Sequence, residues 1–276
     1  MKQLKSLSHL LYDVEKVESK SILPDFDFTP AQEFAIVVNK DGKKKIVNHC
    51  SKIYEVVPNR QVIEPLVKAF ANENITISGN ERHDSRFEFN ILFSKHALNL
   101  TPKDTILPRL RIFNSYDGRV RYSFALGFFR LICKNGMVIP AEGFEDYNTN
   151  IKLRHTPSIG EVVDPEAIEE MVNNFKKGLN TFAKPYQELN KKKVVSLEDR
   201  IQEVIENTKF PTRRAEDVLE RIELEMAQLS LKPKAASDWL VYSGLNYQLN
   251  HSTDITMDSH KKEKLDQQVL TYLINN

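Results

Sequence analysis

Leu107–Pro140 reads LPRLRIFNSYDGRVRYSFALGFFRLICKNGMVIP, and its patterning decides the fold. Leu110 and Ile112 alternate with Arg109 and Arg111, and Val120, Tyr122 and Phe124 alternate with Arg119 and Arg121. Successive side chains on a strand point to opposite faces, so each run reads as a half-buried strand. Between them Asn114-Ser115-Tyr116-Asp117-Gly118 is a run of turn formers, which makes an antiparallel ribbon the simplest assembly. Asn135-Gly136 predicts another tight turn, and Gly127 predicts either a bulge or the start of a helical Phe128–Lys134.

Upstream the same period recurs. Phe87, Phe89, Ile91 and Phe93 alternate with Arg86, Glu88 and Asn90. Ala35–Val38 and Lys45–Val47 flank Asp41-Gly42, a hairpin signal because both central positions need positive φ. Tyr54–Val57 is strand-like, and Val62, Ile63, Leu66, Val67 and Phe70 form one helical face, with Asn59 expected as its cap. These pieces predict an antiparallel sheet with a helix packed on it over residues 1–160. Downstream the period changes to that of helices. Asp164-Pro165 opens a stripe through Ile168, Met171, Val172, Phe175, Leu179 and Phe182, and Ser196 with Asp199 forms a capping box. Further helices follow Thr212 and Ser259, and Lys191-Lys192-Lys193 reads as a solvated turn. The expected class is α+β, with a mostly α-helical region over 161–276 and a boundary near Gly160.

Composition limits function more firmly than it names it. The chain has 276 residues, 41% hydrophobic and 28% charged, enough apolar side chains for a core and not the profile of a disordered chain. No apolar run approaches the ~20 residues that span a bilayer, so no membrane partner is expected. The acid-rich first thirty residues lack a signal peptide's basic start and apolar block, which predicts a cytoplasmic protein. Cys50 and Cys133 are too few for a disulfide framework. The nine glycines are never closer than Gly136 and Gly143, which excludes the glycine-rich phosphate loops. The seven histidines include no zinc-ligand spacing, no nucleophile elbow occurs, and no cofactor or metal is expected. These absences argue against an enzyme. The one acidic cluster suited to chemistry, Glu142, Glu145 and Asp146, keeps a Mg²⁺-dependent nuclease as an alternative.

The formal net charge is +1, but residues 1–160 carry +5 and residues 161–276 carry −4. Between 109 and 134 there are six basic residues and one acid, Asp117. If strand parity holds, Arg109, Arg111, Arg119 and Arg121 share one cationic face, with Tyr116 and Phe113 near enough for stacking. The opposing reading is that carboxylates of the helical half cover them.

Asn114–Gly118, Arg130-Leu131-Ile132-Cys133-Lys134-Asn135-Gly136 and Arg154-His155-Thr156 together resemble the phage/plasmid-related domain of unknown function 932 family. Tyr54–Asn59 is similar to the segment before that family's first helix, and Trp239–Ser243 through His251 to a helix near its end, so the resemblance spans roughly residues 50 to 250. It implies a mobile-element origin and residence in a bacterial cell, and it carries no biochemical activity with it. The combined expectation is an accessory protein that binds nucleic acid, single-stranded DNA above all, in replication, recombination or annealing. Its contacts are expected at Arg109, Arg111, Tyr116, Arg119, Arg121, Arg130, Lys134, Arg154 and His155. The alternative partner is a host or phage protein, as for an effector that blocks an anti-phage defence complex.

Overall fold

The computed structural model describes residues 2–139, 150–157, 159, 165–252, 257 and 259–276. Its elements run α1 (Lys2–Ser6), β1 (Asp13–Glu18), α2 (Ser19–Ile22), β2 (Phe34–Lys40), β3 (Lys43–Cys50), α3 (Asn59–Ala69), β4 (Ile75–Arg82), β5 (Arg86–Phe93), β6 (Leu98–Thr101), β7 (Asp104–Ser115), β8 (Tyr122–Arg130), β9 (Asn135–Val138) and β10 (Asn150–Leu153). The helices α4 (Pro165–Lys177), α5 (Leu179–Lys191), α6 (Leu197–Thr208), α7 (Ala215–Gln228), α8 (Asp238–His251) and α9 (Ser259–Asn275) follow. Antiparallel strands followed by helices make this an α+β protein, as the periodicities predict. No described helix is long and apolar enough to cross a membrane.

Two compact units interleave along the chain. Met1–Lys95, Arg109–Leu126 and Asn148–Lys176 form the first, and His96–Pro108, Gly127–Tyr147 and Lys177–Asn276 the second. A single division at residue 160 does not describe this arrangement, because β7 and β8 each begin in one unit and end in the other. Periodicity reports which face of a strand is apolar, not which unit each end joins.

In the first unit β1, β2 and β3 form one antiparallel sheet. Lys40 pairs with Lys43 across Asp41 (φ 52°) and Gly42 (φ 75°), the tight turn the sequence calls for. The unit's other strands follow the order β10-β8-β7-β5-β4. Phe87, Phe89, Ile91 and Phe93 of β5 are all buried, and the ring of Phe93 meets that of Phe70, just past α3, edge-on at 5.1 Å. Asn59 opens α3 without capping it. Its amide instead donates to the Leu10 carbonyl at 3.0 Å, and its oxygen accepts from Asn114 at 2.8 Å. Tyr54–Val57 joins no strand. Gly127 lies within β8, paired with Val138 of β9 without a register shift, and begins no helix. The turn falls at 131–134, with Lys134 in the left-handed region (φ 54°), and Asn135-Gly136 already belong to β9.

In the second unit β6 pairs with the start of β7, β9 pairs with the end of β8, and α5 to α9 complete the core. Ser196 caps α6 by accepting from the Asp199 backbone N–H at 3.2 Å, as the capping box predicts. The long stripe read through Phe182 is two helices, α4 and α5, divided at Gly178. Lys192 is more than a solvated charge. Its Nζ donates to the Leu273 and Ile274 carbonyls, both at 2.7 Å, near the C-terminus of α9 where a cation is favoured. At Gly244 of α8 a Cβ would lie 2.7 Å from Ile222 Cγ1 of α7, so only glycine allows this close helix packing.

Candidate functional site

The nine expected contact residues do not share a surface. Arg109 and Arg111 do stand opposite Leu110 and Ile112, but β5 supplies polar neighbours on that same face. Arg111 pairs with Asn90 across the strands, and its Nε donates to Glu88 Oε1 at 2.8 Å while its guanidinium lies 4.4 Å over the Phe113 ring. Burial opposes the charge of Glu88, and the adjacent Arg111 more than offsets it, holding that carboxyl below its ordinary range. Arg109 is buried, with Nη1 3.4 Å from Asn90 Oδ1. These two are sheet residues with local partners, not half of an open cationic face.

Tyr116 is 0% exposed. Its hydroxyl accepts from the Asn59 backbone N–H at 3.0 Å, and its ring packs 4.8 Å from that of Phe87. No base can stack on it, because the chain bends at 116–120 and carries the ring under α3. Arg130 is 1% exposed and belongs to the core of the second unit. Its Nε bonds both oxygens of Asp104 at 2.8 and 3.0 Å, its Nη2 lies 2.6 Å from Glu225, and its guanidinium sits 4.7 Å over Trp239. Lys134 is exposed in the turn before β9. Glu142, Glu145 and Asp146 lie outside the described residues, and among the described residues no three His, Cys, Asp or Glu side chains are placed to hold a metal ion.

What the first unit does bring together is the remaining group. β10 pairs with β8, Leu153 opposite Tyr122 and Lys152 opposite Ser123. Continuing that register by one residue sets Arg154 opposite Arg121. Both are exposed, and parity places them with Lys152 on the face opposite Tyr122 and Phe124. Arg119, also exposed, follows in the bend just before. None of the four makes an ion pair among the described residues.

This cationic corner rests on a fixed base. The backbone N–H of Glu55 donates to the His155 carbonyl at 3.0 Å, and the His155 ring approaches the Glu55 carbonyl through Nδ1 at 3.1 Å. That contact assigns the ring proton to Nδ1. Burial holds His155 below its ordinary pKa, against the bond to Glu55, so the ring is neutral near pH 7. It stacks on Tyr54 at 5.1 Å and 17°, and the Tyr54 hydroxyl donates to the Ser115 carbonyl at 3.2 Å. Lys16 Nζ ties down the same segment through the carbonyls of Lys52 (2.7 Å) and Tyr54 (2.8 Å). Gly118 (φ 68°) lies in the bend, where a Cβ would be 3.3 Å from Tyr54 Cε2. Asp117 is spent locally, accepting from Arg86 Nε at 2.6 Å and from the Arg119 backbone N–H at 3.0 Å. His155 is therefore a support for the arginines, not an exposed contact. Lys152, Tyr54 and Lys16 are not among the contacts expected from the sequence. Ile151 and Leu153 do alternate with Lys152 and Arg154, but a run of four residues is too short a signal to have singled out Lys152.

A family model described as Domain of unknown function (DUF932) matches residues 47–268. No curated protein and no solved structure matches the chain.

Proposed function

The chain belongs to the DUF932 family, and we propose that it binds nucleic acid, single-stranded DNA above all, through the corner formed by Arg119, Arg121, Lys152 and Arg154. The setting we propose is replication, recombination or annealing for a phage, plasmid or prophage. The observation that supports this reading is the register of β8 and β10, which, continued one residue past Tyr122 and Leu153, sets Arg121 beside Arg154. Like charges directly opposite on neighbouring strands destabilise a sheet, and here neither has a carboxylate partner among the described residues. An anion laid across them relieves that repulsion. A phosphodiester chain supplies one charge per nucleotide, and guanidinium planes also stack on unpaired bases. A net charge of +1 is low for a general duplex binder, whereas a single strand needs only a narrow line of cations.

The test is fluorescence anisotropy of a labelled poly-dT oligonucleotide over a series of salt concentrations. Each phosphate contact on a single strand contributes about 0.7 to the slope of log affinity against log salt. Arg121→Gln, Lys152→Gln and Arg154→Gln combined should flatten the slope by about 2 while the thermal melt stays in place. Lysine and arginine on an end strand also discourage edge-to-edge pairing. A triple variant that aggregates more readily but binds with an unchanged slope would assign the charges to that role and refute the proposal.

A further inference from the structure

β1 ends at Glu18 and β2 begins at Phe34, although antiparallel neighbours need only about two to five connecting residues. The long connection between them is a closed loop. At its neck the Ser19 backbone N–H donates to the Glu33 carbonyl at 2.8 Å, and Ser19 Oγ donates to the Gln32 carbonyl at 2.6 Å and lies 3.1 Å from His49 Nδ1. Phe28 folds back to stack on His49 at 5.5 Å, and Phe26 packs on Phe28 at 4.8 Å. A loop with joined ends, packed by its own side chains, is the form that surface recognition loops take. Pro24 and Pro30 stiffen it further.

This loop displays apolar side chains that a solvated connection has no reason to carry. Ile22 is 38% exposed, Leu23 47% and Phe26 54%. Ile53, 64% exposed, follows β3 from the same end of the sheet, where Glu18, Phe34 and Cys50 are paired in register. No other large apolar side chain among the described residues of this unit is exposed. Their concentration at one end leaves on the order of 400 Å² of apolar surface, the size at which such patches mark interaction sites. Around them stand the exposed carboxylates of Glu18, Asp25, Asp27 and Glu33, against only Lys20 and Lys52.

We propose that this loop docks a basic amphipathic segment of a partner protein. Four carboxylates around an apolar centre complement lysines and arginines flanking an apolar ridge, the pattern of a helix with anchors at i, i+3 or i+4, and i+7. Charge disfavours the simpler occupants. A second copy meeting this face across a two-fold axis would set the same four carboxylates against one another, and an anionic membrane surface would be repelled by them. The closed neck and the aromatic anchor hold the loop in place before binding, which lowers the ordering cost of association. The patch uses none of Arg119, Arg121, Lys152 and Arg154, so the proposal does not rest on the nucleic-acid reading.

The probe is a labelled synthetic helical peptide with leucines along one face and lysines elsewhere, measured by anisotropy against the full chain. Saturable binding is expected, weakened about tenfold or more by Phe26→Ser and by Leu23→Ser, as for a buried hot-spot anchor, with unchanged thermal melts. A peptide of the same composition with its leucines dispersed around the helix should not bind. Equal binding of the two peptides, or binding unaffected by either variant, overturns the proposal. So does concentration-dependent dimerisation in sedimentation velocity that Phe26→Ser abolishes, which would assign the loop to a second copy. Flotation with phosphatidylserine vesicles that is lost in Phe26→Ser would overturn it in favour of a membrane.

Discussion

Replacing Arg130 by Met removes one charge from the interior of the second unit and should cost about 3–5 kcal/mol, the range for breaking a buried ion pair from one side. The magnitude follows from what remains. Arg130, Asp104 and Glu225 are each no more than 2% exposed at the side chain. Without the guanidinium, Asp104 keeps only the Trp239 Nε1–H at 2.7 Å, and Glu225 keeps Arg221 at 3.9 Å. Two buried carboxylates then share one distant cation. Burial opposes the charge of Arg130, but the bonds to Asp104 and the charge of Glu225 more than offset it, so the wild-type group is ionised throughout the accessible range. Methionine fills much of the vacated volume, which keeps the cavity contribution small. The assay is urea unfolding followed by the fluorescence of Trp239, the chain's single tryptophan, which lies inside the network. The midpoint should fall with the slope unchanged. Adding Asp104→Asn and Glu225→Gln should recover a large part of the loss, because neutral groups leave no unpaired charge. A loss under about 1 kcal/mol would mean that water reaches these groups, contrary to their burial. Weakened DNA binding with intact stability would instead return Arg130 to the interface.

Gly244→Ala should destabilise the second unit by about 1–3 kcal/mol through overpacking, since its Cβ would lie 2.7 Å from Ile222 Cγ1 and 3.1 Å from Val218 Cγ1. An unchanged urea midpoint would contradict the close approach of α7 and α8. His155 gives a pH dependence: burial depresses its folded pKa, whereas the unfolded chain titrates near 6.5. The stability linked to this group is therefore fully present above about pH 6.5 and is lost as pH falls from there through the depressed folded value, because the unfolded state takes up the proton first. Urea midpoints measured across this window should fall more steeply for the wild type than for His155→Gln, and parallel profiles would refute the assignment.

The sheet is legible in the sequence where one side of a strand is apolar. β5 alternates without a break because Phe87, Phe89, Ile91 and Phe93 all enter the core. The hairpin at Asp41-Gly42 and the cap at Ser196 are equally local, each fixed by the chemistry of two or three residues. Parity also places Arg109 and Arg111 on the correct face. It cannot name their neighbours, because the ion pair of Arg111 depends on the register that brings β5 beside β7. Arg130 is further from reach, since its partners stand at positions 104 and 225. Tyr116 reads as an exposed ring in a turn motif because nothing local reveals that α3 lies over it. The corner itself joins β8 to β10, and a four-residue strand such as Asn150–Leu153 is too short for periodicity to separate from coil.

The placement of unpaired arginines adds an argument that no single residue carries. The chain holds 39 basic and 38 acidic residues, so carboxylates are not in short supply. Arg60, Arg86, Arg111, Arg130, Arg200, Arg214 and Arg221 each have one within 3.9 Å. Arg82, at the end of β4, and Arg119, Arg121 and Arg154 have none among the described residues, although Asp117 stands two positions from Arg119. That carboxylate is turned to Arg86 and to the backbone of the bend, where it fixes the loop and leaves the guanidiniums uncompensated. Random placement of nearly balanced charges would scatter such exceptions over the molecule. The gathering of three of these four around β8 and β10, on a base held by Tyr54, His155 and Lys16, concentrates positive potential at one corner of a nearly neutral protein.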